Sequence, residues 1–558
     1  MKTRLPKVLL LALGVAAMPY AVAAESGLQL NPTDTMVTPG TIVGKEGNVT
    51  LTEIPDSWKA GAPVVGGTYQ YCKPYLKDGV DTTLTVNGVV GAVENPLYIR
   101  EGKAIINDSN IEGSLATLTQ PMIQVAGNGA ELTLNDTVYT DTIGASYLAV
   151  GGPDGEGILN LNGNSRVRVI SLVAGFNWRA SWNKENAIIN STAATTDGVE
   201  RYKNGVHTYN EDTERYFGAA TININKGAEL ELGTTAFLVE AVVNVNGGLL
   251  EVGADNTVTP MAIGRQNGCT TELNITNGGT VQTNTHVDVK TGDYFSGAAA
   301  ASTKISVSGS GSKLLVGKNL LVGFNASQNK EGQSIFEVLD GGRVEAKNIT
   351  LGRADANELK QLIATVGAGS TIAAEELHAL GGADVTNKGT IEAEIFIDGG
   401  SLTMADGAKA ADLTATAGTL AILGDVVFNG DIMLSKTGFL FTDGATIDLQ
   451  GHDFSFDGGA VTIVVNAATP AVAMYSLEDE EMLASYGITF KNAGTVTGFE
   501  DDIEVTIATM DAEGQIIETG ATYTLKASDV KVQSIPEPTT ATLSLLALAG
   551  LCARRRRK

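Results

Sequence analysis

The feature of this chain that most constrains its fold is a short pattern that recurs through its middle. Two apolar residues flank a polar one, a turn containing Gly or Asn follows, and another apolar residue comes after the turn. In six of eight copies the apolar residues on either side of the turn lie six positions apart. Alternation with a period of two is typical of strands that bury one face. The copies begin at Leu159, Ile222, Val243, Leu273, Ile305 and Phe336, with two weaker ones around Val366 and Val385.

The spacing of the copies indicates how these strands are arranged. Most adjacent copies are about 20 to 32 residues apart, and a second apolar run ending in Gly often follows, as in Asn319–Gly323 and Asn348–Gly352. Repeats of this length cannot bury an apolar face alone and complete their core by stacking on their neighbours. We therefore expect an all-β fold, a right-handed parallel β-solenoid (β-helix). A tandem array of β-sandwiches is the alternative.

The pattern also divides the chain into segments. We place the solenoid at 121–420, with an insertion at 176–218, between an irregular N-terminal β cap at 24–120 and a C-terminal β domain at 421–533. A terminal domain would cover the open end of the solenoid, which is otherwise an adhesive sheet edge. The polar residues of the repeats should line the outside; they include Asn223, Asn244, Asn274, Ser306 and Glu337.

Residues 1–23 have the three parts of a secretory signal peptide. Basic residues precede an apolar run of ten residues, Val8–Ala17, and a small-x-small cleavage site follows at Ala21 and Ala23. The run is well short of the roughly 20 apolar residues that span a bilayer, which favours cleavage by signal peptidase over a signal anchor. We therefore expect the mature protein to be exported.

The C-terminal segment 534–558 combines a Pro-Glu-Pro triplet, an apolar stretch at Ala541–Ala553 and a basic end. A helix over the apolar stretch would rise about 20 Å, against a hydrocarbon core of about 30 Å, so local thinning would have to complete a short transmembrane helix. The basic cluster would hold the end of the chain on the cytoplasmic side. The triplet is Pro536, Glu537 and Pro538, and the basic end is Arg554, Arg555, Arg556, Arg557 and Lys558.

These three parts, in this order over Ile535–Lys558, resemble the PEP-CTERM sorting signal. The resemblance implies that a membrane-embedded exosortase recognises the triplet during export through the envelope of a Gram-negative bacterium. It also implies a transient anchor in the inner membrane. A plain tail anchor is the other interpretation. More diffusely, the repeats over about 120–420 are similar to the passenger repeats of autotransporter-like surface proteins.

The insertion at 176–218 interrupts the repeats and concentrates aromatic residues. Loops that leave a solenoid are common places for binding function. Clustered aromatic rings beside polar groups could stack on sugar rings or anchor a partner protein, or the loop could fold back and bury its own rings. The candidate binding residues are Trp178, Trp182, Tyr202, His207, Tyr209 and Tyr216.

The sequence gives little support for a catalytic site. The four histidines are far apart without metal-ligand spacing, and no G-x-S-x-G motif occurs. We expect no catalytic residues, no metal site and no cofactor. Because some parallel β-helix proteins act on polysaccharides with paired carboxylates, a polysaccharide lyase or hydrolase is the alternative function. Carboxylates and a basic residue converging on one face of the solenoid would favour it.

Composition limits the partners. The chain has 63 acidic residues against 38 basic ones, a formal net charge of −25, and such a surface does not replace the counterions of nucleic acid. Three Cys residues in 558 cannot form a disulfide framework. Cys72 and Cys269 would remain after both ends are processed, and whether they pair is open.

The functional hypothesis is an exported, exosortase-processed structural or adhesin-like protein of the cell surface or extracellular matrix. It would meet glycans or surface proteins through its acidic, polar exterior and the 176–218 insertion, without catalysis.

Overall fold

The computed structural model describes residues 49–51, 83–93, 97–113, 121–142, 147–151, 156–175, 219–255, 259–264, 270–289, 302–323, 333–353, 362–466, 486–510 and 516–534. These residues form 39 β-strands and one short 3-10 helix, Ala527–Asp529, and they include no α-helix. The fold is therefore all-β, as the alternating apolar pattern predicts.

The strands follow one another along the chain with short connections. They are β1 Val49–Leu51, β2 Thr83–Asn87, β3 Val90–Val93, β4 Leu97–Asn107, β5 Asn110–Gly113, β6 Pro121–Asn135, β7 Val138–Asp141, β8 Tyr147–Val150, β9 Gly157–Asn162, β10 Arg166–Ala174, β11 Ala220–Asn225, β12 Glu229–Leu238, β13 Ala241–Asn246, β14 Leu249–Val252, β15 Met261–Ile263, β16 Thr270–Thr276, β17 Thr280–Thr283, β18 Val287–Val289, β19 Ser302–Ser308, β20 Lys313–Val322, β21 Gln333–Leu339, β22 Arg343–Leu351, β23 Leu362–Val366, β24 Thr371–Leu380, β25 Ala383–Asn387, β26 Thr390–Ala405, β27 Lys409–Ala410, β28 Leu413–Leu423, β29 Val426–Phe428, β30 Ile432–Ser435, β31 Gly438–Thr442, β32 Thr446–Asp448, β33 Phe454–Asp457, β34 Val461–Asn466, β35 Ile488–Ala493, β36 Val496–Thr497, β37 Ile503–Met510, β38 Ile516–Leu525 and β39 Val530–Ser534.

The chain divides into two compact units, Met1–Asp384 and Val385–Lys558. In the first unit the strands pair in parallel, each with an equivalent strand one coil earlier and one coil later. The pairs form three ladders, which we call faces A, B and C. One coil of the chain contributes one strand to each face in turn. This arrangement is a parallel β-solenoid, which confirms the predicted fold; the handedness of its coil stays a prediction.

Face A contains β2, β9, β11, β13, β16, β19, β21 and β23, together with the C-terminal parts of β4 and β6. Face B contains β3, β5, β7, β14 and β17 and the N-terminal halves of β10, β12, β20, β22 and β24. Face C contains β8, β15 and β18, the C-terminal halves of those same long strands and the N-terminal parts of β4 and β6.

The core lies between the three faces and explains the six-residue spacing. Leu161 on face A and Val167 on face B are both buried, with a tight turn between them, and Ile224 with Leu230 repeats the arrangement one coil later. A six-residue step therefore carries the chain from one inward position to the next around the A–B corner. The turn itself requires small residues: a Cβ at Gly279 would lie 2.1 Å from the carbonyl oxygen of Val245 on the preceding coil.

The second unit repeats the three-ladder scheme across position 420. One ladder contains β27, β29, β32, β35 and β39; a second contains β30, β33 and β36; a third contains β31, β34 and β37, and β26 and β28 contribute to more than one. Its core is rich in phenylalanine, with the rings of Phe454 and Phe490 4.7 Å apart. The last ladder ends in an antiparallel hairpin, β37 with β38, which closes the parallel pairing.

Parallel pairing extends beyond the limits of 121–420 that the sequence predicts. It begins already with β1 and β2 inside the segment predicted to be an irregular cap, and in the second unit it runs through the segment predicted to be a C-terminal β domain. The physical reason is that coils there are held by the same backbone pairing but with less regular turn sequences. The division of the chain into separate domains stays a prediction.

Candidate functional site

The residues singled out at the two ends lie outside the described residues. This applies to the signal-peptide positions Ala21 and Ala23 and to the sorting residues Pro536, Glu537, Pro538, Arg554, Arg555, Arg556 and Arg557. The aromatic candidates of the insertion, Trp178, Trp182, Tyr202, His207, Tyr209 and Tyr216, and the cysteines Cys72 and Cys269 lie outside them as well.

The two ends of the insertion are anchored in the solenoid. The Gly175 amide donates a hydrogen bond to the carbonyl oxygen of Val150 (2.8 Å), and the Gly157 amide donates to the carbonyl oxygen of Ala219 (3.0 Å). Strand β9 pairs in register with β11 although the insertion separates them. The solenoid therefore continues across 176–218, and the insertion leaves it at the corner between face C and face A.

The same corner gives rise to other long connections. Residues 265–269, 290–301, 324–332 and 354–361 all join a face C strand to the following face A strand. Since those strands pair in register, the described ends of these connections stack above one another. This stacking agrees with the general rule that the loops of a repeat protein collect on one side.

The outward surface of face A carries two rows of asparagines. In the turn-side row, each side-chain amide Nδ2 donates to the Oδ1 of the asparagine one coil earlier, over distances from 2.5 to 3.5 Å. Six steps of about 4.8 Å give this row a length of about 29 Å. Its members are Asn87, Asn107, Asn135, Asn162, Asn225, Asn246 and Asn277.

The second row, which we call the mid-strand row, contains Asn160, Asn223, Asn244 and Asn274. The Nδ2–Oδ1 distances between successive members are 2.7, 2.9 and 3.1 Å. The sequence pattern predicts that these asparagines lie outside, and their half-buried, outward position confirms it. The turn-side row was not predicted, although four of its members are followed by Gly in the sequence, which is a usable signal.

A third row of polar side chains lies inside, at the turn between faces A and B. The Thr137 amide donates to the hydroxyl of Ser165 (3.1 Å), and that hydroxyl donates to the carbonyl oxygen of Leu134 (3.0 Å). Ser165 is fully buried, so these bonds satisfy backbone groups that would otherwise be costly to bury. Equivalent serines follow the turns at Ser109, Ser312 and Ser370. This row is structural.

Charged side chains converge on face B. Arg166 forms an ion pair with Glu229, and Arg168 contacts both Glu231 and Asp255 at 3.2 Å. Each pair joins one coil to a later one, so a guanidinium group links carboxylates from separate parts of the sequence. Carboxylates and basic residues therefore converge on one face of the solenoid, the arrangement that would favour a polysaccharide-acting enzyme. Each guanidinium group contacts a single oxygen of each carboxylate.

A row of aspartates follows one corner of the second unit. Asp412, Asp431 and Asp453 each precede a strand, and each carboxylate accepts a hydrogen bond from an amide one coil later, at 2.9, 3.0 and 2.6 Å. The Asp453 amide and, to a smaller extent, His452 lower the pKa of Asp431. His452 Nδ1 lies 3.3 Å from the Asp431 carboxylate.

The described histidines are not gathered into a site. His378 contacts Glu376 at 3.0 Å, His452 contacts Asp431, and His286 lies on another coil. Within the described ranges, no group of three or more His, Cys, Asp or Glu side chains is placed to hold a metal ion. Burial and the charge of Asp141 raise the pKa of the Tyr139 hydroxyl, which points into the apolar interior and has no hydrogen-bond partner there.

The comparison with protein families gives one match, to the PEP-CTERM protein-sorting motif over residues 534–558. The C-terminal segment of this chain is a PEP-CTERM motif. No curated protein and no solved structure matches the chain.

The PEP-CTERM motif begins where the last described strand, β39, ends. It identifies the chain as an exported protein that is sorted to the cell envelope or surface and processed by exosortase in transit. In the part of the chain that the structure describes, no helix is long and apolar enough to cross a membrane. The predicted transmembrane helix at Ala541–Ala553 lies outside that part.

Proposed function

We propose that this exported chain is a non-catalytic structural or adhesin-like protein, displayed on the cell surface or in the extracellular matrix. It presents the polar faces of its solenoid, with the 176–218 insertion, to glycans or surface proteins. The observation that carries the proposal is the pair of asparagine rows on face A.

The rows support a scaffold in two ways. Their amides bond to one another across successive coils, so the exterior is ordered by its own side chains, which lowers the entropy lost on binding. The rows also follow the axis of the solenoid for several coils, which suits an extended surface better than a single small-molecule site.

A polysaccharide-acting enzyme is the second candidate function, and the face B cluster is the observation that favours it. Glu229 and Glu231 lie on one strand opposite Arg166 and Arg168. A hydrolase or lyase built there would use a carboxylate or a base beside a cation. All four side chains are instead paired with one another between coils.

The experiment that tests sorting and display compares a tagged full chain with a chain that ends before Pro536. The full chain should reach the cell surface or the medium, and the truncated chain should not. A third form, with alanine at Pro536, Glu537 and Pro538 only, keeps the apolar stretch and separates exosortase recognition from membrane anchoring. Normal sorting of the truncated chain would contradict the proposal.

The enzyme alternative needs its own test. Neutral and acidic polysaccharides are incubated with the purified chain, and new reducing ends or unsaturated products are measured. Any activity that Glu231→Gln abolishes, while Glu112→Gln at another outward position of face B leaves it intact, would replace our proposal with a catalytic function.

A further inference from the structure

The central part of face A is uncharged in a chain that is otherwise strongly acidic. Beside the two asparagine rows runs a third outward row, in which Ile158, Thr221 and Val242 occupy successive coils. Together with the asparagines of β9, β11 and β13 they form what we call the neutral panel. The ion pair of Lys103 with Glu131 lies beyond its first coil, and Glu272 lies beyond its last.

The asparagines of the panel have hydrogen-bonding capacity beyond their rows. A primary amide carries two N–H donors and two acceptor lone pairs. Asn223 donates once to Asn160 and accepts once from Asn244, and Asn225 does the same within the turn-side row. Each therefore retains a donor and an acceptor for a group outside the protein. The row bonds hold both amides in fixed orientations.

This arrangement repeats at the spacing of the coils, about 4.8 Å. A ligand that extends along the solenoid axis therefore meets the same donor and acceptor on the β11 and β13 coils. On the β9 coil the Nδ2 of Asn160 already faces Glu131 Oε1 at 3.0 Å and Thr133 Oγ1 at 3.2 Å. Sugar hydroxyls both donate and accept, as the amides do, and the methyl groups of Ile158, Thr221 and Val242 offer contact to the C–H faces of sugar rings. In an extended glycan, one sugar residue has a length of the same order as the spacing between two coils. Successive sugars can therefore lie over successive coils.

We propose that the neutral panel binds an extended, uncharged polysaccharide lying along the solenoid axis. The proposal rests on the proposed function and names the ligand class and its site. A polyanion is disfavoured because the chain carries a net charge of −25. A protein partner is disfavoured because the panel has none of the Trp, Tyr or Arg side chains that dominate protein interfaces.

The test uses the purified full chain and linear, uncharged hexasaccharides of β-1,4- and β-1,3-linked glucose, with titration calorimetry as the measurement. Val242→Lys places a long cationic side chain over the panel without removing a row amide. Leu249→Lys is the matched control, since Leu249 lies on the next strand of the same coil, is also half-buried and faces outward from face B. Urea midpoints of all forms check folding.

We expect binding of at least one hexasaccharide, at least tenfold weaker binding by Val242→Lys and a change of less than twofold by Leu249→Lys. Disaccharides should bind more weakly because they span fewer of the panel's three coils. If Val242→Lys fails to fold, Thr221→Lys on the neighbouring coil takes its place.

Three results would overturn the proposal: no binding of either hexasaccharide, equal weakening by the face A and face B variants, or equally tight binding of polygalacturonate. Failure of the proposed function would look different, since the chain would then be missorted or catalytically active. A correctly displayed chain that ignores uncharged glycans overturns only the assignment of the panel.

Discussion

Removing one amide from the middle of the turn-side row should lower the stability of the solenoid by an amount that the structure sets. Asn162 donates to Asn135 at 2.9 Å and accepts from Asn225 at 2.7 Å. Asn162→Ala removes both bonds, and net values of about 0.5–1.5 kcal/mol for each give a loss of about 1–3 kcal/mol. Because the row is half-exposed and water can replace part of it, we expect a value in the lower half of that range.

The assay is urea unfolding followed by hydrogen exchange. Interaction energies in stacked repeats are mostly local. The protection of backbone amides from exchange should therefore decrease in β6, β9 and β11 and stay unchanged in the second unit. Asn164→Ala is the control, since the exposed Asn164 side chain also bonds to a neighbouring coil, at 3.0 Å to Asp136. It should change stability by less than about 0.5 kcal/mol. A loss for Asn162→Ala no larger than that of the control would refute the idea that the row stabilises the fold.

A charged replacement at the same position tests the direction of the bonds. The carboxylate of Asn162→Asp accepts from Asn225 but has no proton to donate to the Oδ1 of Asn135, whereas the protonated acid can donate to it. The variant should therefore be most stable below the pKa of an aspartate in the unfolded chain, about 4. Its stability should fall as the pH rises above that value. A stability of Asn162→Asp that does not depend on pH between about 3 and 7 would show that the amide does not donate along the row.

Three further outcomes are expected. Ser165→Ala leaves a buried amide unpaired and should cost about 1–3 kcal/mol in urea unfolding, whereas a cost near zero would show that water replaces the hydroxyl. Folding lowers the pKa of Asp431 through the Asp453 amide and His452. The contribution of Asp431 to folding stability is therefore present above its unfolded pKa and is lost as the pH falls through its folded pKa. Asp431→Asn should flatten the acid side of the profile of stability against pH, and an unchanged profile would contradict this. Phe454→Ala opens a cavity among packed phenylalanine rings and should cost about 3–5 kcal/mol, measured by thermal unfolding, with Phe454→Leu as the milder control.

The sequence predicts the parts of this fold that depend on local order. The alternation at Leu159 and Leu161 and the six-residue step to Val167 follow from strand geometry and a tight turn, and both are found. The apolar runs before Gly323 and Gly352 correspond to stacked strands of face C. These features need only neighbouring residues, which is why the pattern reveals them.

The stacking of side chains could not be predicted in the same way, because it depends on the lengths of the loops between coils. Asn225 bonds to Asn162, 63 residues earlier, and to Asn246, 21 residues later. Arg168 meets Asp255, 87 residues away. A single sequence does not state which residues of unequal repeats come into register, so both the turn-side row and the face B cluster emerge only from the structure.

The amides of the turn-side row all point the same way along the axis. Each coil donates to the one before it, so a finished coil leaves its carbonyl oxygens, the negative ends of aligned dipoles, facing the coil that follows. The row is therefore a template with a direction: the coil that arrives next finds acceptors already in place. A chain that emerges N-terminus first meets its acceptors in the order in which it is made, so vectorial synthesis and secretion run in the direction in which the row is built.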